Sequence, residues 1–303
     1  MTIIRGIPIN EDRMAISFDY ISDVHLDSWL SPSKRRSANE VRKLCSTRFL
    51  KGMRGTPQND TLVVAGDFSH SNELTVLFLA VLLESYYKNI VFVPGNHDMA
   101  SRRDGDSFPS YVERLQDLRN RLNGLPGAHM LFGESVEIDG VTYGGTTGWY
   151  DYSYSMKRFG HSIEQGNLLF TNWWDFENIR AEDGGRIQNF LSVYNSEEEK
   201  MAKLCGVSQV MITHMGPVGD FIAPQYADSP YSGFFYFDGS PFLAPGNSPQ
   251  VWVYGHTHTA GVFKKGDTDF LCNPFGYRGE NTSSPGIVSY ISGKEIRYDR
   301  KIP

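Results

Sequence analysis

The chain has 303 residues, of which 40% are hydrophobic and 21% are charged, a balance typical of a globular protein with a full-sized core. Its net charge of −6 argues against extended binding to duplex nucleic acid, because such binding needs many Lys and Arg contacts to phosphate. Three isolated cysteines, no apolar signal-peptide core in residues 1–13 and no apolar stretch of about 20 residues predict a cytoplasmic protein without a membrane partner.

The first third of the chain alternates β-prone and helical segments. Apolar, β-branched runs predict three strands, at residues 15–22, 60–65 and 89–93. Helical spacing predicts two helices, at residues 37–51 and 109–122. Ser71 is placed to cap a third, buried helix that contains residues 74–83. Strand and helix in alternation indicate parallel pairing of the strands.

From about residue 130, short β-prone runs replace this alternation. They predict nine strands, at residues 130–132, 135–138, 141–145, 207–213, 251–254, 261–264, 269–272, 287–291 and 294–298. Asp139-Gly140 and Ser292-Gly293 are typical hairpin turns. We therefore expect an α/β (α+β) fold in which two mixed β-sheets pack face to face as a β-sandwich flanked by α-helices.

Two long segments, residues 146–183 and 215–250, lack a clean periodicity. Within residues 149–177, nine of 29 side chains are aromatic, whereas the chain-wide share of 13% predicts about four. Loops of this length in compact domains are usually functional or disordered. The rings could stack a nucleobase or pack the segment onto the sandwich, and both interpretations stay open.

Oxygen and imidazole donors follow the predicted strands. Asp23 and His25 are two residues apart, as are His256 and His258, and this spacing at a strand end points both side chains to one side. Gly66 allows a sharp turn that exposes the following carboxylate. Such donors, without thiolates, suit two divalent ions about 3.5–4 Å apart. Because the set spans most of the chain, we predict one domain over residues 1–303; its members are Asp23, His25, Asp67, Asn96, His97, His214, His256 and His258.

These donors lie in short motifs that are specific in combination. In chain order, the motifs are Asp23-Val24-His25, Gly66-Asp67, Gly95-Asn96-His97-Asp98, His214 and Gly255-His256-Thr257-His258. They resemble the five blocks of the calcineurin-like metallophosphoesterase superfamily, and residues 272–277 (CNPFGY) resemble a stretch that follows the last block in many bacterial members. The resemblance implies a four-layer fold with a dinuclear metal site at the strand ends.

The resemblance also implies a role for each donor. The residues implied for the first metal are Asp23, His25 and His258, and those for the second are Asn96, His214 and His256. Asp67 would bridge the two ions, whereas His97 would face the leaving-group oxygen and would not bind metal. Mn or Fe is the expected metal, and Zn, Ni and Co suit the same ligands.

The second block departs from that of the Ser/Thr protein phosphatases of the superfamily, which reads Gly-Asp-x-Val-Asp-Arg-Gly. Residues 66–72 read GDFSHSN, so the Asp that orients the catalytic histidine and the Arg that clamps phosphate are both missing. This difference favours a bacterial or phage-type member outside the protein-phosphatase branch. Asp98 and Asp27 are candidate partners of His97, and His70 either lines the site or only begins a helix.

The sequence thus predicts a phosphoester hydrolase that depends on two divalent metal ions, with His97 and Asp67 as catalytic residues. A metal-bridging hydroxide would attack phosphorus while His97 protonates the leaving oxygen. Arg102 or Arg103 would either bind the phosphate or form a solvated basic turn. Small phosphodiesters or nucleotides are the expected substrates. The alternatives are a phosphomonoesterase, including a phosphoprotein phosphatase, then a nuclease or a non-catalytic scaffold.

Overall fold

A computed structural model describes residues 15–31, 34, 37–50, 57–103, 106–244, 246, 248–280 and 284–294. The first of its two large sheets contains, from edge to edge, β13 (Val288–Ile291), β1 (Ser17–Ile21), β2 (Thr61–Ala65), β3 (Asn89–Val93) and β6 (Ala128–Met130). The pair β1 and β13 is antiparallel, and the other neighbours are parallel. The first sheet is therefore mixed.

The second sheet contains, in spatial order, β11 (Gly261–Lys265), β12 (Thr268–Cys272), β10 (Val251–Tyr254), β9 (Val210–Ile212), β8 (Val141–Gly145) and β7 (Glu134–Ile138). Its two edge pairs are antiparallel, and the four inner strands are parallel. A short ribbon is separate from both sheets and consists of β4 (Arg102–Arg103) and β5 (Asp106–Ser107).

The central strands are largely apolar because both faces of each sheet are covered. Every residue of β2, β9 and β10 is buried. Between the sheets, Phe18, Val63 and Val91 of the first belong to one cluster with Ile212 and Val253 of the second. This interior layer joins the two sheets into a sandwich.

Helices cover the outer face of each sheet. The first sheet carries α2 (Ala38–Leu44), a π-helical turn that continues it (Cys45–Phe49), α3 (Asn72–Ser85) and α4 (Tyr111–Leu122). The second carries α6 (Ile163–Phe170), α7 (Trp174–Asn178) and α8 (Phe190–Cys205), with α5 (Ser153–Phe159) beside them. The short α1 (Leu26–Trp29) follows β1. The predicted four-layer α/β arrangement is confirmed.

Most predicted elements are present, with some differences in position. The bounds of β3, β8 and β10 are those predicted, and Ser71 caps α3 by accepting a hydrogen bond from the amide of Leu74. The strand predicted at 130–132 begins two residues earlier because residues 128–130 pair with β3. The strand predicted at 294–298 lies largely outside the described residues.

The helices of the second outer layer are the main difference from the sequence prediction. Residues 146–183 contain α5, α6 and α7, and the described part of residues 215–250 contains four short 3₁₀ helices. The helix α8 was not predicted, although Asn189 caps it and its buried side chains recur at helical spacing. None of the helices in the described ranges has the length and apolar character that a bilayer crossing requires.

Candidate metal centre

Both sheets bring donor side chains to one edge of the sandwich. The donors that follow strands of the first sheet are Asp23, His25, Asp67, Asn96 and His97. Those that follow strands of the second are His214, His256 and His258. Because the carboxyl ends of neighbouring parallel strands lie at the same edge, residues far apart in the chain meet here.

The backbone is strained at most of these donors. Five of the seven described non-glycine residues with positive φ belong to the set: Asp23, His25, Asp67, His256 and His258. Such conformations cost of the order of 1–3 kcal/mol each and persist only where the surrounding structure enforces them. Their concentration at one edge of the sandwich marks this region as a functional site.

Two glycines allow the strand ends to approach closely. Gly66 has a φ of 82°, and a methyl group on its Cα would overlap the ring of His214. A methyl group on Gly95 would overlap the carboxylate of Asp67. The donors can therefore converge only because both positions lack a side chain.

Asp23, His25 and His258 form one group of converging donors. The Nε2 atoms of His25 and His258 are 3.2 Å apart, and Nε2 of His258 is 3.4 Å from Oδ1 of Asp23. Ligand atoms that lie about 2.1 Å from one ion are separated from each other by about 3–3.4 Å. The spacing of these three side chains therefore fits a shared cation.

Asp67, His214 and His256 form a second group, which Asn96 joins. Nε2 of His214 lies 3.3 Å from Oδ2 of Asp67 and 3.0 Å from Oδ1 of Asn96. Nε2 of His256 is 3.2 Å from the carbonyl oxygen of Phe234. This contact leaves Nδ1 of His256 as the ring nitrogen able to bind a cation.

The carboxylate of Asp67 lies between the two groups. Its Oδ2 is 3.8 Å from Nε2 of His25 in the first group and 3.3 Å from Nε2 of His214 in the second. Burial alone would raise the pKa of Asp67, but the imidazoles of His214 and His97 hold it well below its usual value. Asp67 is thus an ionised donor placed to contact cations on both sides.

Hydrogen bonds on the far side of these donors orient the atoms that face the centre of each group. Nδ1 of His214 lies 2.9 Å from a backbone carbonyl oxygen, and Nδ1 of His258 lies 2.8 Å from the carboxylate of Glu280. Nδ2 of Asn96 donates to Oδ1 of Asp175 at 2.7 Å, which turns the amide oxygen towards the donor group. Contacts of this kind fix the tautomer and the orientation of metal-binding side chains.

The carboxylates attract protons to two of the histidines. Burial alone would lower the pKa of His214, but Asp67 and Asp23 raise it to about 9. Burial likewise opposes a charge on His258, yet Asp23 and Glu280 raise its pKa to about 10. The region therefore gathers positive charge around its carboxylates. A donor set of this composition and spacing fits divalent metal ions.

His97 lies beside both groups, with Nε2 3.8 Å from Oδ2 of Asp67. Its Nδ1 is 2.7 Å from Nε2 of His70. Asp98 is engaged elsewhere, because its carboxylate accepts backbone N–H groups that include that of Asp67. Asp27 contacts His70 instead of His97. The side chain that contacts Nδ1 of His97 is therefore His70, and not the predicted Asp98 or Asp27.

A cavity of about 340 Å³ adjoins the donors. Six of its lining residues are Phe, Trp or Tyr: Trp173, Trp174, Tyr226, Phe235, Tyr236 and Tyr277. The two long segments supply five of these six rings, so both segments reach the site. Among the described residues that line the cavity there is no Lys or Arg, and Glu280 adds a carboxylate.

Most of the aromatic excess in residues 149–177 packs in the outer core of the second sheet. Trp149, Tyr150 and Tyr152 are fully buried there. Trp173 and Trp174 differ because they line the cavity, and Trp174 stacks on His97 with ring centroids 4.1 Å apart. Packing therefore accounts for most of these rings, and two of the nine reach the candidate site.

The sequence did not reveal the carboxylates that orient the ligands. Asp175 and Glu280 each lie near aromatic residues, and a buried charge such as Asp175 in these surroundings requires polar partners. Asp175 directly follows Trp173-Trp174, and this placement was the available signal.

Arg102 and Arg103, the predicted phosphate-binding candidates, form β4, and their side chains lie outside the described part of the chain.

Comparison with known proteins agrees with this geometry. The family of calcineurin-like phosphoesterases matches residues 16–260. An uncharacterised protein of Acanthamoeba polyphaga mimivirus is 24% identical over 262 residues, which cover 78% of this chain and 85% of that protein. The phosphopantetheinyl hydrolase of Mycobacterium tuberculosis has a similar fold, with a TM-score of 0.61 and 17% identity over 86% of this chain and 89% of that chain. The chain therefore belongs to the calcineurin-like phosphoesterase family and is a metal-dependent hydrolase of phosphoester bonds.

Proposed function

We propose that the chain hydrolyses small phosphodiesters at a centre of two divalent cations. The observation that carries this proposal is that Asp67 lies between two groups of converging donors, beside the aromatic cavity. The residues that would hold one ion are Asp23, His25 and His258, and those for the other are Asn96, His214 and His256. Mn or Fe suits these oxygen and imidazole donors, as do Zn, Ni and Co.

When bound, such a pair of ions polarises phosphoryl oxygens and lowers the pKa of water. The chain itself supplies a proton donor for the leaving group. His97 lines the cavity, and its Nε2 is 3.3 Å from the hydroxyl oxygen of Tyr277. Nε2 of His97 is therefore accessible to an oxygen atom in the cavity. General-acid catalysis requires this access for the leaving-group oxygen.

The charges around the cavity favour a substrate with a single negative charge. A phosphomonoester carries about 1.5–2 negative charges at pH 7, whereas a diester carries one. The described lining holds no Lys or Arg to balance the second charge, and Glu280 would repel it. The aromatic walls suit a flat or apolar ester group, such as a nucleobase or an aryl ring.

The test of this proposal compares bis-p-nitrophenyl phosphate with p-nitrophenyl phosphate after metal removal and reloading with Mn²⁺, Fe²⁺ or Zn²⁺. We expect turnover only with added metal, and a kcat/KM at least about 10-fold higher for the diester. A higher kcat/KM for the monoester would contradict the substrate assignment. If no ion supported turnover of either ester, the proposal of hydrolysis at this centre would fail.

The role of His97 is tested by His97→Ala, with His129→Ala on β6 as the control. We expect His97→Ala to keep its ions and to lose about 10²–10⁴-fold in kcat on esters with poor leaving groups. The loss should be much smaller for p-nitrophenyl esters, because p-nitrophenolate leaves without a proton. An equal loss on both kinds of ester would argue against proton donation by His97.

A further inference from the structure

Behind His97, a second histidine and a carboxylate extend a line of hydrogen bonds away from the cavity. Nε2 of His70 is 2.7 Å from Nδ1 of His97, and Nδ1 of His70 is 2.9 Å from Oδ2 of Asp27. The other oxygen of Asp27 accepts the backbone N–H of His70 at 3.0 Å. Asp27 thus holds both the ring and the backbone of His70.

We propose that Asp27 and His70 position His97 for catalysis, so that Nε2 of His97 presents a hydrogen to the leaving group. The inference rests on the proposed function, since it takes His97 as the proton donor. It assigns His70 and Asp27 as positioning residues, because they act through His97 and do not touch the substrate.

The positions of the hydrogens follow from the carboxylate at the end of the line. Asp27 can only accept hydrogen bonds when it is ionised, so Nδ1 of His70 carries a hydrogen. When the two rings together carry one positive charge, they hold three hydrogens: one on Nδ1 of His70, one between Nε2 of His70 and Nδ1 of His97, and one on Nε2 of His97. This is true whichever ring is counted as the cation. His97 therefore presents an N–H to the cavity.

The transfer balances in atoms and charge. As the P–O bond to the leaving group breaks, its electron pair goes to the leaving oxygen, which takes the hydrogen from Nε2 of His97. The shared hydrogen then belongs to Nδ1 of His97, and both rings are neutral. One proton from solvent restores the initial state.

The surroundings explain why His97 needs this support. The side chains of His97, His70 and Asp27 are only 13%, 11% and 9% exposed, so water stabilises a charge on them poorly. A carboxylate at the end of the line supplies the balancing charge that solvent does not.

Trp174 fixes the planes of the two rings. Its indole stacks on His97 at 4.1 Å and 18°, and it extends over His70 at 5.8 Å and 30°. An aromatic face also favours a nearby cation. The stacked indole therefore supports both the orientation of the pair and its shared charge.

The difference between residues 66–72 and the protein-phosphatase pattern changes the side chain that contacts His97. His70 stands where the Gly-Asp-x-Val-Asp-Arg-Gly pattern has its second Asp. The carboxylate is supplied instead by Asp27 of α1, and the imidazole of His70 spans the distance from that carboxylate to His97. The direct Asp–His pair of that pattern is thereby replaced by a line of three side chains, Asp27, His70 and His97.

The kinetic test uses methyl phenyl phosphate and methyl p-nitrophenyl phosphate with the metal-loaded protein. On the phenyl ester, His70→Ala should lower kcat by about 100-fold and Asp27→Asn by about 10-fold, with little change in KM. On the p-nitrophenyl ester, both losses should be below about 5-fold. Because Asp27 acts through His70, the double variant should be no slower than His70→Ala.

The controls separate this inference from a general loss of structure. His129→Ala and Asp60→Asn remove a histidine and a carboxylate outside the site, and each should keep the wild-type kcat on both esters. Losses that multiply in the double variant, or that are equal on the two esters, would contradict the inference. If the wild-type protein hydrolysed neither ester with any ion, the proposed function itself would fail.

A spectroscopic test does not depend on activity. In Zn²⁺-loaded protein with ¹⁵N-labelled histidine, the hydrogen shared by His70 and His97 should give a far-downfield proton resonance bonded to Nδ1 of His97. The resonance should be kept in His129→Gln and lost in His70→Gln. Its absence from the wild-type protein, or its persistence in His70→Gln, would overturn the proposed contact.

Discussion

At the scale of single residues, Asp67 connects the proposed cation positions to the proposed proton donor. Its Oδ2 faces His25 and His214 from the two donor groups, and its Oδ1 accepts the backbone N–H of His97 at 2.9 Å. The residue has a φ of 58°, which only a well-determined local structure maintains. One residue with a strained backbone therefore sets the positions of both donor groups relative to His97.

Replacing Asp67 with Asn keeps the shape of the side chain but removes its charge and one oxygen donor. We expect the variant to bind at most one ion per chain and to lose about 100-fold or more in kcat. Elemental analysis after desalting measures the ion content. Asp60→Asn, which removes an exposed carboxylate paired with Lys88, is the matched control. Two ions retained in Asp67→Asn would refute a bridging role.

The raised pKa values of His214 and His258, about 9 and about 10, predict the pH dependence of metal binding. In the apo protein, these protonated rings stabilise the fold below the ordinary histidine pKa, and this contribution is lost as the pH rises through 9 to 10. At pH 7 both rings must release a proton to bind metal, so Mn²⁺ affinity should rise from pH 6 to pH 8.

Calorimetric titration of the apo protein with Mn²⁺ measures this proton release. The binding enthalpy should vary between buffers of different ionisation enthalpy, in proportion to the number of protons released. A binding enthalpy that is the same in all buffers would show that neither ring gives up a proton.

At the scale of elements, one short helix serves several parts of the site. The helix α7 begins at Trp174, which stacks on His97, and Asp175 in its first turn accepts a hydrogen bond from Asn96. The carboxylate of Asp175 also accepts from Tyr150 and Trp173. The aromatic segment therefore supports the ligand, the proton donor and the cavity wall from one side.

Asp175→Asn tests this element, because an amide cannot accept from all three of these donors. We expect about 10–100-fold weaker binding of the ion held by Asn96, with the other ion unaffected. Glu177→Gln, which changes an exposed carboxylate of the same helix, is the control. Stepwise metal titration of the two variants measures the effect, and unchanged affinity at both positions in Asp175→Asn would contradict it.

The sequence predicted the elements that are marked by a pattern of neighbouring residues in the chain. The buried parallel strands β3, β8 and β10 read as short runs, and candidate metal-binding donors follow the ends of β3 and β10. The helices α5, α6 and α7 were missed because they are only 7, 8 and 5 residues long, too short to show a clear helical periodicity. Asp175 lies 79 positions from Asn96 in the chain, so nothing in the sequence connects the two. Contacts of this kind depend on tertiary packing.

At the scale of the whole molecule, the site joins the two sheets. Asp23, His25 and Asp67 come from the first sheet, whereas His256 and His258 come from the second. Each donor group contains residues from both sheets. Cations held at this edge would therefore connect the two halves of the sandwich.

This arrangement predicts that metal binding stabilises the fold. At a free Mn²⁺ concentration about 1,000 times the Kd, each ion should add about 4 kcal/mol to the free energy of unfolding. Denaturant unfolding of the apo and Mn²⁺-loaded proteins measures the difference, and Asp67→Asn should show a smaller one. Equal unfolding midpoints with and without Mn²⁺ would contradict a site that joins the sheets.

The central claim is that two cations lie on opposite sides of Asp67. The most direct measurement is an anomalous difference map from crystals grown with Mn²⁺. We predict two peaks about 3.5–4 Å apart, one near Asp23, His25 and His258 and the other near Asn96, His214 and His256, with the Asp67 carboxylate between them. A single peak, or two peaks that do not share Asp67, would contradict the account.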